Sequence, residues 1–286
     1  MDPARWPFRL AALAQGRPVV VAAFFVVASA SAFAQPAASG SAAAIKDPVA
    51  RARGLYNEGR FDAAIAASDT AHGVPAFANS ADLIAARAYL ERFRASGVAD
   101  DLTSARDRLR RLDPQRLGPR ERLEFLVGIG QALFFDEAFG AAADVFSSVL
   151  ARDGSLPPEQ RERVLDWWAS ALDRDARPRS DLERQGVYQK IRDRMSEELV
   201  GHPGSASAAY WLSAAARGQG DLQAAWDAAE AGWVRAGLAA DRGAALRADL
   251  DRLVLRGIAP DRARALAQPP EALRQDWERF KERWSK

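Results

Sequence analysis

Cysteine is missing from this 286-residue chain, and histidine occurs only as His72 and His202. Without cysteine there are no disulfide staples, no thiolate metal site and no lipid-modified cysteine anchor, so stability must come from packing. Each histidine stands beside Gly or Pro in an expected inter-helix turn, far from the other in sequence, which suits two surface loop residues better than a metal or acid–base pair. His-Glu-x-x-His, Gly-x-Ser-x-Gly and Gly-x-x-x-x-Gly-Lys patterns are all lacking. Gly128-Ile129-Gly130 and Gly218-Gln219-Gly220 have neither a preceding strand nor the third glycine of a dinucleotide loop and read as helix-packing glycines. The acid pairs Asp100/Asp101 and Asp173/Asp175 have the composition glycoside hydrolysis uses, but they fall in turns with arginine close by, where acids start helices or stay solvated. The reading is of a non-enzymatic protein with no catalytic residue, no cofactor and no metal site.

The one long apolar run lies at the N-terminus. Arg5, Arg9 and Arg17 flank Pro18 to Ala34, which closes in Ala32-Phe33-Ala34, a small-x-small pattern. Residues 1–34 are therefore expected to be a signal peptide cleaved between Ala34 and Gln35, giving a periplasmic or secreted protein. The run is at the short edge of what spans a bilayer; the alternative is an uncleaved inner-membrane anchor. The chain has 40 basic and 38 acidic residues. The leader holds three arginines and Asp2, so 37 of each sign remain after it, and no basic field points to nucleic acid. Residues 35–44, small and polar, are expected to form a flexible linker.

Beyond residue 44 the periodicity is helical throughout, with β-branched residues sparse and no sustained alternation. A segment recurs: Leu55-Tyr56-Asn57-Glu58-Gly59-Arg60-Phe61 through Ile65, then Leu133 to Ala142, then Gly218 to Trp226. Aligning the small residue after each break places Ala64, Ala105, Ala142 and Ala225 in register, at spacings of 41, 37 and 83 residues, the last close to two repeats. The spacing predicts five helix pairs, the second with an insertion near Arg94 to Asp101 and the fourth formed by Arg163 to Leu172 and Asp181 to Leu199. A sixth pair is predicted from Gly243 to Arg256 and Pro260 to Leu266. Gly59 and Gly220 fall where a helix must end in a left-handed residue. The stripe Leu273, Trp277, Phe280 and Trp284 marks a closing helix.

With Ala52, Leu55, Tyr56, Gly59, Phe61, Ala64 and Ala71 in one unit, Gly130, Leu133, Phe134, Phe139, Ala142, Phe146 and Val149 in another, and Ala216, Gly220, Leu222, Ala225 and Gly232 in a third, the chain resembles the tetratricopeptide repeat (TPR) family. The departures are units longer than 34 residues and a fourth unit that has lost the signature. The resemblance implies an all-α fold: a right-handed superhelical solenoid of five or six TPR-like helix pairs over residues 45–268, with a capping helix over 269–286. It also implies a scaffold or adaptor that binds an unidentified protein or peptide in a concave groove lined by the first helix of each pair. Carried over by register, the exposed groove positions are Arg53, Asn57, Arg87, Gln131 and Phe135, then Trp167, Ser170 and Arg174, and Arg217. Arginines and aromatics there suit an extended segment with acidic or aromatic side chains. No first helix carries a Lys-x-x-x-Asn pair, so the family's carboxylate-clamp mode is not supported. Tryptophan leaves a different possibility, a cell-envelope glycan-binding module using exposed indoles, although Trp226 and Trp233, seven apart, suit packing between repeats. Of the adjacent Trp167 and Trp168, about 100° apart on a helix, at most one is expected in the core. A membrane contact is expected only if the leader is uncleaved.

Overall fold

The computed structural model of the chain describes residues 47–152 and 156–284, so the expected leader and linker lie outside the described residues. Those described are all-helical, with no strand among them. In order they are α1 (Pro48–Asn57), α2 (Phe61–His72), α3 (Ala78–Ser96), α4 (Ala99–Arg111), α5 (Pro119–Phe135), α6 (Phe139–Leu150) and α7 (Pro158–Ala176). There follow α8 (Asp181–Gly201), α9 (Ala206–Gly218), α10 (Leu222–Arg235), α11 (Ala244–Leu253), α12 (Ala259–Leu266) and α13 (Pro270–Trp284). From α1 to α10 each helix packs on the next, and the odd-numbered helices also pack on one another in sequence, α1 on α3, α3 on α5, α5 on α7, α7 on α9 and α9 on α11. That second set of contacts makes a continuous layer of odd-numbered helices. No described helix is long and apolar enough to cross a membrane.

Helix starts follow ordinary capping chemistry. The Asp47 carboxylate accepts from Val49 N and Ala50 N, with Pro48 in the first turn. Ser180 and Glu183 form a capping box on α8, and Ser205 Oγ accepts from Ala208 N at 3.2 Å on α9. Pro158 opens α7, and Pro114 stands in the short turn that follows α4.

The recurring segment produces one turn three times. After α1, Glu58 N donates to Gly54 O, Gly59 N to Tyr56 O and Arg60 N to Leu55 O. After α5 the bonds are Asp136 N to Ala132 O, Glu137 N to Phe134 O and Ala138 N to Leu133 O; after α9 they are Gln219 N to Ala215 O, Gly220 N to Arg217 O and Asp221 N to Ala216 O. The residue that reverses the chain is left-handed in each, with φ of 74° at Gly59, 61° at Glu137 and 81° at Gly220. Glycine takes this conformation without a Cβ penalty; Glu137 carries that penalty, about 1–2 kcal/mol.

Small residues sit where helices approach closely. Ala64, Ala105, Ala142 and Ala225 are fully buried. At Gly130 a Cβ would lie 2.6 Å from the Phe146 ring, so α5 and α6 meet there at a distance only glycine permits. Three rings converge on Trp167: Phe134 and Phe135 edge-on at 5.0 and 5.5 Å, and Phe146 stacked at 6.1 Å. Trp277 holds α13 in place, meeting Trp226 and Trp233 edge-on and donating its indole N–H to Asp251.

Several expected boundaries shift. No insertion separates α3 from α4: only Gly97 and Val98 intervene, and the additional residues extend α3 to Ser96. The expected sixth pair is not a hairpin either. Residues 244–266 form one continuous helical run in which a single π turn, Val254–Ile258, joins α11 to α12. Pro260 explains it, since proline lacks an N–H and its ring collides with the carbonyl four residues back. The widened bond from Ala259 N to Val254 O immediately precedes it.

Candidate functional site

The layer of odd-numbered helices carries two concentrations of buried charge, and the residues expected to line a groove divide around them. On α1, α3 and α5, Arg53 and Arg87 converge on Glu124. Arg53 Nη1 reaches both Glu124 oxygens at 3.0 and 2.9 Å and its Nη2 reaches Glu121 at 3.2 Å. Arg87 Nη1 lies 3.0 Å from Glu124 Oε2, its guanidinium over the Tyr56 ring at 4.4 Å from the centroid, and Arg120 Nε adds a 3.1 Å bond. Burial would raise the Glu124 pKa, but Arg87 and Arg53 hold it below the ordinary carboxylate range. Burial would lower that of Arg87; Tyr56 and Glu124 raise it instead. Arg53 and Arg87 therefore tie three helices together, and their guanidiniums are engaged within the chain.

Gln131, Phe135 and Trp167 were expected to be exposed and are buried. Phe135 and Trp167 belong to the ring cluster between α5, α6 and α7. The expectation failed because α5 packs on α3, α4, α6 and α7, and α7 on α5, α6, α8 and α9, which widens the apolar arc of an interior helix beyond one stripe. The same geometry buries Trp168 beside Trp167. Asn57 is exposed at the end of α1, and Ser170 and Arg174 are half-buried on α7. Burial, reinforced by Arg177, lowers the Arg174 pKa, and its guanidinium has no ion pair among the described residues. Arg217 donates through Nε to Asp261 at 2.8 Å. Thus Arg53 and Arg87 come together, Arg217 stands apart at the other end of the layer, and the nine expected positions do not form one site.

The second concentration, on α7, α9 and α11, has the opposite sign. Asp166 Oδ1 accepts from the Trp211 indole N–H at 2.9 Å. Burial pushes the Asp166 carboxyl up to about 6; the Trp211 bond opposes the shift, and the charges of Asp249 and Glu162 add to it. Part of the residue still reaches solvent, although the carboxyl is enclosed. Asp249 is raised by burial as well, against its 2.8 Å bond from Arg252. Burial followed by Asp249 and Asp166 keeps the Tyr210 phenol neutral well beyond the usual tyrosine range. Between α9 and α11 a cleft of about 210 Å³ opens, lined by Tyr210, Arg217, Asp249, Arg252 and Arg256.

Sequence reasoning passed over Glu124, Asp166 and Asp249 because acids on a helix normally face water. A signal existed for two of them: Glu124 interrupts Leu123-Glu124-Phe125-Leu126-Val127, and Asp166 interrupts Val164-Leu165-Asp166-Trp167-Trp168. An acid inside such a run needs a partner or a function. The histidines sit against buried acids, His72 Nδ1 3.2 Å from Asp82 and His202 Nδ1 2.9 Å from Glu198, the latter also gripped by Arg161 through two 2.7 Å bonds. Trp167, Trp168, Trp211, Trp226, Trp233 and Trp277 are buried and Trp284 is 51% exposed, so the described tryptophans offer no continuous sugar platform. No protein-family model, curated protein or solved structure matches the chain.

Proposed function

We propose that this chain is a non-enzymatic, exported helical-repeat scaffold of TPR-like, right-handed superhelical design, which captures an extended polypeptide segment along its layer of odd-numbered helices. The observation that carries the reading is the repetition, bond for bond, of the turn after α1, α5 and α9, combined with the odd-to-odd packing. Helix pairs repeated this way cannot bury their apolar faces singly, and the stacking leaves one extended face available to a ligand. Within it, Arg53 and Arg87 hold helices together, while Asn57, Ser170, Arg174 and Arg217 are the positions left to meet a partner. Export rests on the Arg-flanked apolar leader ending at Ala34.

The test is crosslinking capture from envelope extract, comparing the wild type with the double variant Arg174→Glu/Arg217→Glu and following helicity by circular dichroism. Loss of the same crosslinked species with helicity intact is the expected outcome; unchanged capture rejects this face. The mass of the protein recovered from cells should correspond to a chain starting at Gln35, and an intact Met1 terminus would replace export with membrane tethering.

A further inference from the structure

The three repeated turns align Tyr56, Phe134 and Arg217, each accepting the backbone N–H of the left-handed residue three positions on. The first two are rings packed against the opening phenylalanine of the next helix, Tyr56 on Phe61 at 5.8 Å and Phe134 on Phe139 at 5.1 Å. The third copy has replaced the ring with a guanidinium. Arg217 lies flat against Gly257, where an added Cβ would come within 2.8 Å of its Cζ. Its Nε is engaged by Asp261, and no described residue accepts from Nη1 or Nη2. Gly257 belongs to the π turn, and the same turn contributes Arg256, which makes no ion pair or hydrogen bond among the described residues.

These features meet in the cleft of about 210 Å³ between α9 and α11. Its guanidiniums are Arg217, Arg252 and Arg256; the carboxylates paired with them are Asp249 and Asp261. Asp249 bonds Arg252 and Asp261 bonds Arg217 and Arg264, which leaves Arg256 and the Nη1 and Nη2 donors of Arg217 for an anion in the cleft. Leu253 supplies apolar surface beside them. π turns recur at functional sites because they displace side chains from the α-helical register. A planar guanidinium fork with unoccupied donors fits a planar carboxylate better than it fits a compact halide.

We propose that this cleft is a binding site for a small monocarboxylate on a short apolar stem, with Arg217 and Arg256 receiving the carboxylate and Leu253 meeting the stem. The site goes beyond the scaffold reading: its test needs no partner protein, so it can fail while partner capture stands, and the reverse.

The experiment is an ¹⁵N–¹H NMR titration of the protein with propionate, methylphosphonate and propylammonium at constant ionic strength. Propionate should give saturable shifts concentrated in residues 210–217 and 249–257. Arg256→Gln and Arg217→Gln should each raise its dissociation constant at least fivefold, while Arg235→Gln, an exposed arginine outside the cleft, leaves it unchanged. Tighter binding of methylphosphonate would overturn the carboxylate assignment, and shifts of the same pattern with propylammonium would overturn the charge assignment. Non-saturable shifts, or shifts insensitive to both cleft variants, would remove the site.

Discussion

The joint of α1, α3 and α5 and the joint of α7, α9 and α11 are made from the same layer of helices but treat buried charge in opposite ways. In the first, Glu124 is met by Arg53, Arg87 and Arg120, and its pKa falls below the ordinary range. In the second, Asp166 is met by an indole N–H, with Asp249 and Glu162 nearby, and its pKa rises to about 6. A neutralised carboxylate stabilises the ionised folded state; an under-neutralised one costs stability at neutral pH. The lesson is that buried charge locks one end of the layer and is held in reserve at the other. The cleft opens at the reserved end.

The largest effect should come from breaking the locked joint. Glu124→Ala leaves buried guanidiniums unbalanced and should cost about 3–5 kcal/mol in urea unfolding. Because the folded Glu124 pKa lies below its ordinary value, its contribution is present above about pH 4.5 and is lost as pH falls through the folded value. A wild-type protein whose acid unfolding matches that of the variant would show that the joint is not electrostatically locked. Next in size is Gly130→Ala, which drives a methyl into Phe146 and should cost about 1–3 kcal/mol; it measures packing beside the locked joint without touching charge. Replacing the reserved acid should act in the other direction. Asp166→Asn keeps an acceptor for Trp211 and should stabilise the protein by about 1–2 kcal/mol at pH 7. The folded value of about 6 exceeds the ordinary 3.8, so wild-type stability declines as pH rises from about 4 to about 6. The gain from the substitution should therefore vanish by pH 4, and a pH-independent gain in thermal midpoint would assign the effect to something other than charge. The smallest expected change is Glu137→Gly, which relieves a left-handed non-glycine and should add about 0.5–1 kcal/mol in the same unfolding assay. No gain there would mean that the three turns are less alike in energy than in hydrogen bonding.

The legible part of this protein is its local part. Gly59 and Gly220 announced the left-handed turns, because glycine carries that preference with it. The register of Ala64, Ala105, Ala142 and Ala225 marked close helix approaches for the same reason. Glu137 was less legible, since nothing about glutamate favours positive φ; only the superposition of its turn on the other two reveals the role. The assignment of groove positions was legible in register and not in environment. Phe135 and Trp167 stand on odd-numbered helices as expected but point into the ring cluster, and Arg53 and Arg87 are occupied by Glu124. The sixth hairpin illustrates the opposite error. Pro260 reads as a break, and a π turn lets the helix pass through it.

By itself the sequence determined the helical character of the described residues and the glycine turns that end α1 and α9, since backbone conformation depends on neighbours within a few residues. Only the tertiary structure decided which charges are paired, which rings are enclosed, and that Arg217 and Arg256 face a common cleft. The reason is distance. Arg53 and Glu124 are 71 residues apart, and Trp211 and Asp166 are 45 apart. A charge buried between helices takes its partner from another, distant helix, and no local pattern records which one.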